Sequence, residues 1–203
     1  MTSRWVVAYA TALTGPAAPP GVSGRDFAVA NLEDVHDLLH GLELVAAAVA
    51  CPPGMEDDVD SVTWPGTDVL PAAGVAAVGD RLAERGADQV VVVAADAPDF
   101  PALLVGKLFR ALGKSDIVAS PCEQGGLVAL GVTLPMARWL RDVRMSLDEP
   151  DMLTRLAGAA PSPRAVSLTP GWHRLRERAD LALLDVRLEG WENTRMLLEG
   201  VAR

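Results

Sequence analysis

Two aspartates follow the most apolar run of the sequence. Asp96 and Asp99 form a D-x-P-D motif behind the run QVVVVAA, which is typical of a buried strand. A carboxylate at the end of such a strand is costly unless a cation, a metal ion or backbone N–H groups pair with it. Either both aspartates are catalytic and Asp96 binds the Mg²⁺ or Mn²⁺ that bridges the phosphates of a nucleotide, or both only form and cap the loop.

The histidines do not predict a zinc site. His36 and His40 lie four residues apart on a predicted helix and so share a face. Asp37 is shorter than the glutamate that an H-E-x-x-H protease uses as its base, and His173 is the only other histidine. We therefore interpret His36 and His40 as solvated helix residues.

Short β-rich runs alternate with helical stretches along the chain, which predicts a mostly parallel sheet with crossover helices. Strands are predicted at residues 4–10, 43–51, 59–64, 89–95, 116–120, 127–132 and 164–168. Helices are predicted at residues 25–40, 72–85, 101–112, 136–143, 148–157 and 189–202. Ligands of open parallel sheets bind beyond the C-terminal strand ends, so we expect Asp96 to face a cleft shared with the loop 14–25.

The composition limits the class of protein. The 203 residues suit a single domain, 1–203, and a net charge of −9 without a basic stripe argues against nucleic-acid binding. The first apolar run is too short for a secretory signal, and no run reaches the roughly 18–20 residues of a membrane span. Cys51 and Cys122 are expected to be buried free thiols, which favours a cytoplasmic protein.

Three segments, spread over more than half of the chain, follow one another in a recognisable order: VVVVAADAPDFPALLVGKLFRAL, SDIVASPCEQGGLVALGV and TPGWHRLRERADLALL. Together they resemble the glycosyltransferase-A-type nucleotidyltransferase superfamily. Within that superfamily the chain is most similar to the uncharacterised bacterial family labelled "glycosyltransferase A", which is related to the molybdenum-cofactor and phospholactate guanylyltransferases. The resemblance implies a Rossmann-like fold that binds a nucleoside triphosphate or a nucleotide sugar.

The resemblance also suggests which residues contact the nucleotide. The family carries a P-x-x-D-G-G-Y-x-L-I-G segment, which PCEQGGLVALG matches. Because Gly125 and Gly126 have no side chains, they would let backbone N–H groups or a sugar ring approach closely. We predict that the nucleotide binds at Gly125 and Gly126 together with Gly15 and Arg25 of the first loop.

Three departures from the family pattern concern charge. The family's first loop holds phosphates with lysines, whereas Arg25 is the only cation in the loop of this chain. Gln124 replaces the aspartate of the D-G-G element, and Arg174 and Arg176 replace both aspartates of a D-x-D element that supplies a metal ligand. Because a cation repels Mg²⁺ at close range, we expect weak or no divalent-cation binding without nucleotide.

The arginine-rich segment allows two interpretations. Arg174, Arg176 and Arg178 could replace the metal as bidentate phosphate clamps. They could instead form a solvated turn, which is the interpretation we favour.

The fold prediction is an α/β three-layer α/β/α sandwich, Rossmann-like, with a mostly parallel sheet. The predicted function is that of a nucleotidyltransferase- or glycosyltransferase-like protein with altered activity. The alternative is a catalytically inactive descendant that acts as a binding or assembly module. Asp96, Asp99 and the glycine pair favour the enzyme, whereas the missing lysine and the arginines at the D-x-D positions favour the module.

The C-terminal helix carries more apolar residues than a terminal surface helix needs. Trp191, Met196, Leu197, Leu198 and Val201 are apolar. The helix either closes over the sheet of its own domain or forms the contact of a homodimer.

Overall fold

The computed structural model describes residues 2–201 and contains a seven-stranded sheet. Its strands are β1 (Arg4–Tyr9), β2 (Ala46–Cys51), β3 (Val69–Pro71), β4 (Gln89–Ala94), β5 (Ile117–Pro121), β6 (Leu127–Thr133) and β7 (Val166–Leu168). They lie in the order β3-β2-β1-β4-β6-β5-β7. The pairs are parallel except that β6 runs antiparallel to both β4 and β5.

Helices cover both faces of this sheet. They are α1 (Gly24–His40), α2 (Glu56–Asp60), α3 (Val75–Glu84), α4 (Ala102–Leu112), α5 (Met152–Ala159) and α6 (Glu192–Val201), with 3-10 turns at Arg138–Leu140 and Arg178–Leu183. All six residues of β4 are buried, and alternate side chains enter the core beneath α3 and α5 or the core beneath α1 and α4. A strand apolar on both faces needs a layer on each side, so the predicted three-layer α/β fold is confirmed.

Two predicted strands differ from those observed. The predicted strand 59–64 is wrong, because α2 and a turn occupy this segment and β3 follows later in the chain. Three acidic residues in the first turn of α2 suit the positive end of a helix, which a short apolar run does not reveal. β2 begins later than the predicted start of 43–51, because Leu44 takes a left-handed backbone conformation (φ 63°) and is 85% exposed.

The predicted helix 136–143 is only a 3-10 turn at Arg138–Leu140. Met136, Leu140 and Val143 are buried at a spacing of three and four residues. That spacing resembles one face of a helix, although here an irregular segment supplies the same buried side chains.

One interpretation of the histidines is also wrong. His36 on α1 is only 3% exposed, so it is not a solvated residue, whereas His40 is exposed. Cys51 and Cys122 are buried free thiols, as predicted. Among residues 2–201, no helix combines the length and apolar character that crossing a membrane requires.

The C-terminal helix packs against its own domain. Both carboxylate oxygens of Asp34 on α1 accept hydrogen bonds from the first turn of α6, from the N–H groups of Asn193 (3.0 Å) and Thr194 (2.8 Å). The Thr194 hydroxyl donates to Asn31 Oδ1 at 2.8 Å, and Trp191 is 2% exposed. The helix therefore covers α1 rather than the sheet itself.

Candidate functional site

Asp96 lies in the turn that follows β4, beside the loop that follows β1. A cavity of about 40 Å³ separates them, with Thr14, Gly15 and Pro16 on one side and Asp96 and Leu175 on the other. The Leu175 N–H donates to the Asp96 carbonyl at 2.7 Å, which draws the segment 172–180 over the turn. The structure thus brings Asp96 and Gly15 together as expected, across a cavity that holds little more than one water molecule.

The carboxylate of Asp96 forms a bidentate ion pair with Arg174. The distances are 2.6 Å from Arg174 Nε to Asp96 Oδ1 and 2.9 Å from Nη2 to Oδ2. Arg174 Nη1 lies 3.2 Å from the carbonyl oxygens of both Leu127 and Leu147, and 2.8 Å from Asp148 Oδ1. All three guanidinium nitrogens therefore have protein acceptors, in a residue that is only 3% exposed.

This environment keeps Arg174 charged. Burial alone would lower the pKa of the guanidinium, but the carboxylates of Asp96 and Asp148 reverse this effect and raise the pKa above its ordinary value. The interpretation of the arginine-rich segment as a solvated turn is wrong for Arg174. Because its nitrogens are already hydrogen-bonded within the protein, Arg174 is also unsuited to clamp a phosphate.

The cation beside Asp96 belongs to the chain itself. Both oxygens of Asp96 already accept hydrogen bonds from Arg174. Within residues 2–201, no group of three or more His, Cys, Asp or Glu side chains is arranged to hold a metal ion. As the side chains lie, they do not fit a divalent cation, and the role of Asp96 as a metal ligand stays a prediction.

Asp99 is an anchor for the C-terminal segment. Its fully buried side chain accepts hydrogen bonds from Trp172 Nε1 (3.1 Å) and the Asp185 N–H (2.9 Å), and lies 2.9 Å from His173 Nε2. It does not cap α4, since Pro101 occupies the N-cap position without a side-chain hydrogen bond. These contacts give Asp99 a structural role, and its catalytic role stays a prediction.

The glycine pair is needed for close packing within the chain. Gly125 and Gly126 have φ values of 95° and 73°, which favour glycine. A Cβ atom on Gly126 would lie 2.6 Å from the Leu147 carbonyl oxygen, and Arg176 Nη1 donates to the Gly125 carbonyl at 2.9 Å. Protein groups therefore occupy the space that the sequence analysis assigned to a nucleotide, and the nucleotide contact itself stays a prediction.

Gln124 and the arginine-rich segment are joined by a hydrogen-bond network. The Gln124 amide donates to Asp180 Oδ1 at 3.0 Å and to the Arg174 carbonyl at 3.3 Å. Asp180 Oδ2 accepts hydrogen bonds from the N–H groups of Arg176 and Glu177, both at 2.8 Å. Gln124 and the segment 174–177 are thus joined through Asp180.

Arg25 lies outside this arrangement. It pairs with the exposed Asp58 at 3.1 Å and lines a separate surface depression with residues of α1 and α6. The sequence analysis also missed Asp148, which completes the acceptors around Arg174. No motif marks Asp148, since the need for it arises only once Arg174 is seen to be buried.

Asp96→Asn is expected to lower the free energy of unfolding by about 2 kcal/mol. The amide loses the negative charge and one acceptor, which leaves the buried Arg174 less compensated, while the 30% exposure of the Asp96 side chain lets water relieve part of the loss. Urea denaturation measures the change. Asp58→Asn is the control, because its pair with Arg25 is exposed and is expected to contribute less than about 0.5 kcal/mol. Equal stability of Asp96→Asn and the unaltered chain would contradict a structural role for the pair.

Solved structures share the fold over nearly the whole chain. A protein from Desulfovibrio desulfuricans G20 named as a candidate nucleotide-diphospho-sugar transferase is 17% identical, with a TM-score of 0.68 and 98% of each chain covered. CMP:2-keto-3-deoxy-manno-octonic acid synthetase, in complex with CTP, is 8% identical, with a TM-score of 0.59 over 98% of this chain and 99% of the other. Rv0371c from Mycobacterium tuberculosis H37Rv, in complex with manganese, is 17% identical, with a TM-score of 0.52 and 98% of each chain covered. These likenesses show that the fold is the one found in nucleotidyl- and sugar-nucleotide transferases.

The sequence itself gives a narrower assignment. No curated protein sequence matches the chain significantly. Residues 39–147, more than half of the chain, match the family described as "Uncharacterized protein conserved in bacteria (DUF2064)". The chain is therefore a member of the DUF2064 family, built on a nucleotidyltransferase-like α/β fold.

Proposed function

We propose that this protein binds a nucleoside triphosphate or a nucleotide sugar without a divalent cation, and that any transfer reaction it performs is independent of metal. The observation that carries the proposal is the bidentate pair between Arg174 and Asp96. In the fold relatives named above, ligands include CTP in one structure and manganese in another. Here a guanidinium already pairs with both oxygens of the carboxylate at the strand end, so that carboxylate is not free to bind a metal ion.

One arginine that follows Arg174 remains available for phosphate groups. Arg178 is exposed, and within residues 2–201 the only hydrogen bond of its guanidinium runs from Nε to the Ala18 carbonyl, at 3.0 Å. Arg176 is less accessible: its Nη2 atom lacks a hydrogen-bond partner among the same residues but is buried, and its Nη1 atom donates to the Gly125 carbonyl. A guanidinium binds phosphate oxygens in a bidentate manner, so the exposed side chain of Arg178 is the proposed phosphate contact. The predicted contacts of Gly15, Gly125 and Gly126 with the nucleotide belong to the same proposal.

A second candidate function is favoured by the size of the cavity. The space beside Asp96 is about 40 Å³, far below the roughly 300 Å³ at which small-molecule sites begin. A nucleotide could enter only if the segment 172–180 moved away from the loop after β1. A catalytically inactive binding or assembly module, which needs no such movement, is therefore the competing proposal.

One melting experiment separates these candidates. The full chain is heated with each nucleoside triphosphate and a set of nucleotide sugars, in EDTA and in Mg²⁺. We expect at least one nucleotide to raise Tm equally in both buffers, and Arg178→Ala to abolish the shift. Arg141→Ala, which alters an exposed arginine outside this site, is the matched control. A shift that requires Mg²⁺ would instead support metal binding by Asp96, and no shift with any nucleotide would support the module.

Two further predictions belong to the proposal. A homodimer through α6 would use the exposed side of that helix, where Met196 is 63% exposed, because Trp191 is already buried. Light scattering at micromolar concentration tests it, and a monomer mass would exclude it.

The cytoplasmic location is supported by two buried free thiols, which suit a reducing compartment.

A further inference from the structure

A second and larger cavity lies at the N-terminal ends of the parallel strands, whereas Asp96 lies at their C-terminal ends. It has a volume of about 580 Å³ and lies between the last turn of α1, the first residues of β2 and the loop that leads to β3. Asp96 follows the C-terminal end of β4, whereas β2, which runs in the same direction, begins at this cavity. Small-molecule sites typically have volumes of roughly 300–1,000 Å³. The cavity is therefore large enough for a ligand and separate from the site described above.

A buried histidine lines this cavity, and one of its ring nitrogens lacks a hydrogen-bond partner among the described residues. His36 is 3% exposed, and its Nδ1 atom has no hydrogen-bond partner among residues 2–201. The nearest carboxylate oxygen, Asp37 Oδ1, is 3.9 Å away, beyond hydrogen-bonding distance. Buried polar atoms are nearly always paired, so an unpaired one in a residue that lines a cavity indicates a missing partner.

The charge state of His36 allows it to accept a hydrogen bond. The largest effect on the pKa of the imidazole is burial, which lowers it. Two smaller effects follow: the Asp37 carboxylate raises the pKa, and His40, whose ring centroid is 5.9 Å away, lowers it. The net lowering keeps the ring neutral at neutral pH. A neutral imidazole with its proton on Nε2 accepts a hydrogen bond at Nδ1.

The remaining walls favour a positively charged ligand with an apolar body. Trp64 is 65% exposed and lines the cavity, so its indole face can stack with a flat group or a cation. Asp37 and Asp68 supply carboxylates, while none of the described lining residues is a lysine or an arginine. Asp68 is paired with Arg85, which leaves Asp37 as the carboxylate open to a ligand. The C-terminal end of α1 adds partial negative charge.

We propose that this cavity binds a small organic cation, in which an amidinium, a guanidinium or a protonated amine is carried by a flat apolar body. The cationic group donates hydrogen bonds to His36 Nδ1 and to the Asp37 carboxylate. The apolar body packs on the Trp64 indole. This binding is independent of the nucleotide site, so either proposal can fail without the other.

Benzamidine is a suitable probe, because benzamide and benzoate have the same shape but are neutral and negatively charged. Calorimetry with the full chain is expected to give saturable binding of benzamidine with a dissociation constant of about 1 mM. Benzamide is expected to bind at least about tenfold more weakly, and benzoate not measurably, because neither neutralises Asp37.

Two surface substitutions locate the site. Trp64→Ala and Asp37→Asn are each expected to weaken benzamidine binding by about fivefold or more. Asp80→Asn, which removes an exposed carboxylate from α3, is the control and is expected to leave the affinity unchanged. Circular dichroism verifies that each variant is folded. The absence of saturation up to about 20 mM benzamidine, equal affinity for benzoate, or unchanged binding in both Trp64→Ala and Asp37→Asn would each overturn the proposal.

Discussion

Arg174→Ala is expected to lower the free energy of unfolding by about 3 kcal/mol, a larger loss than the one expected for Asp96→Asn. The guanidinium joins three segments: the turn after β4 through Asp96, the start of β6 through Leu127, and the segment before α5 through Leu147 and Asp148. Without it, the carboxylates repel each other and the two carbonyl groups lose their donor. The side chains of Asp96 and Asp148 are 30% and 51% exposed, so water relieves part of the cost and the loss lies near the low end for a broken buried pair.

Thermal and urea denaturation both measure this loss, which corresponds to a decrease in Tm of about 10 °C for a domain of this size. Arg178→Ala is the matched control in the same segment. Its guanidinium is exposed and makes one described hydrogen bond, to Ala18, so its removal is expected to cost less than about 1 kcal/mol. Equal losses for the two variants would show that Arg174 is not the cation that holds the site together.

Arg174→Asp is expected to convert the site into one that binds Mn²⁺. Asp96 and Asp148 both contact the guanidinium, at 2.6 and 2.8 Å, so an aspartate in its place adds a third carboxylate to a pair that already converges. Carboxylate oxygens are the ligands that hard divalent cations prefer. Without metal the variant is expected to be less stable than Arg174→Ala, because three anions then face one another.

Addition of Mn²⁺ is expected to reverse this order. At a metal concentration one hundred times the dissociation constant, binding to the folded state alone adds about 2.7 kcal/mol of stability. The measurement is Tm in EDTA and across a series of Mn²⁺ concentrations. The unaltered chain and Arg178→Asp, which changes the charge equally at an exposed position, are expected to show no such increase. If Mn²⁺ does not raise the Tm of Arg174→Asp, the view that Arg174 occupies the position of a metal ion is contradicted.

The central strands and the turn at Asp96 could be predicted because their signals are local. After Gln89, β4 is apolar without interruption, which is typical of a strand covered on both faces, and Asp96 follows shortly after its end. The short edge strand β3 lacks such a run. It has three residues, and its position depends on pairing with β2.

The environment of Arg174 could not be predicted because its partners are distant in sequence. Asp96 is 78 residues away and Leu147 is 27 residues away. Locally, charged and apolar residues alternate at Arg174, Leu175 and Arg176, a pattern that suits an exposed turn. The segment instead directs Arg174 inward, because Asp99 anchors the neighbouring Trp172 and His173 from 73 and 74 residues away.

The strand order also determines when the sheet can be completed during synthesis. β1 lies between β2 and β4, and Arg4 of β1 contacts Gln89 of β4 across 85 residues of chain. While the ribosome is still translating the segment before β4, β1 can pair on one side only, so an apolar strand edge stays open. Closing so long a loop is entropically costly and slows folding. We therefore expect nascent chains that end before residue 89 to bind chaperones through β1, and chains that extend beyond β4 to be released from them.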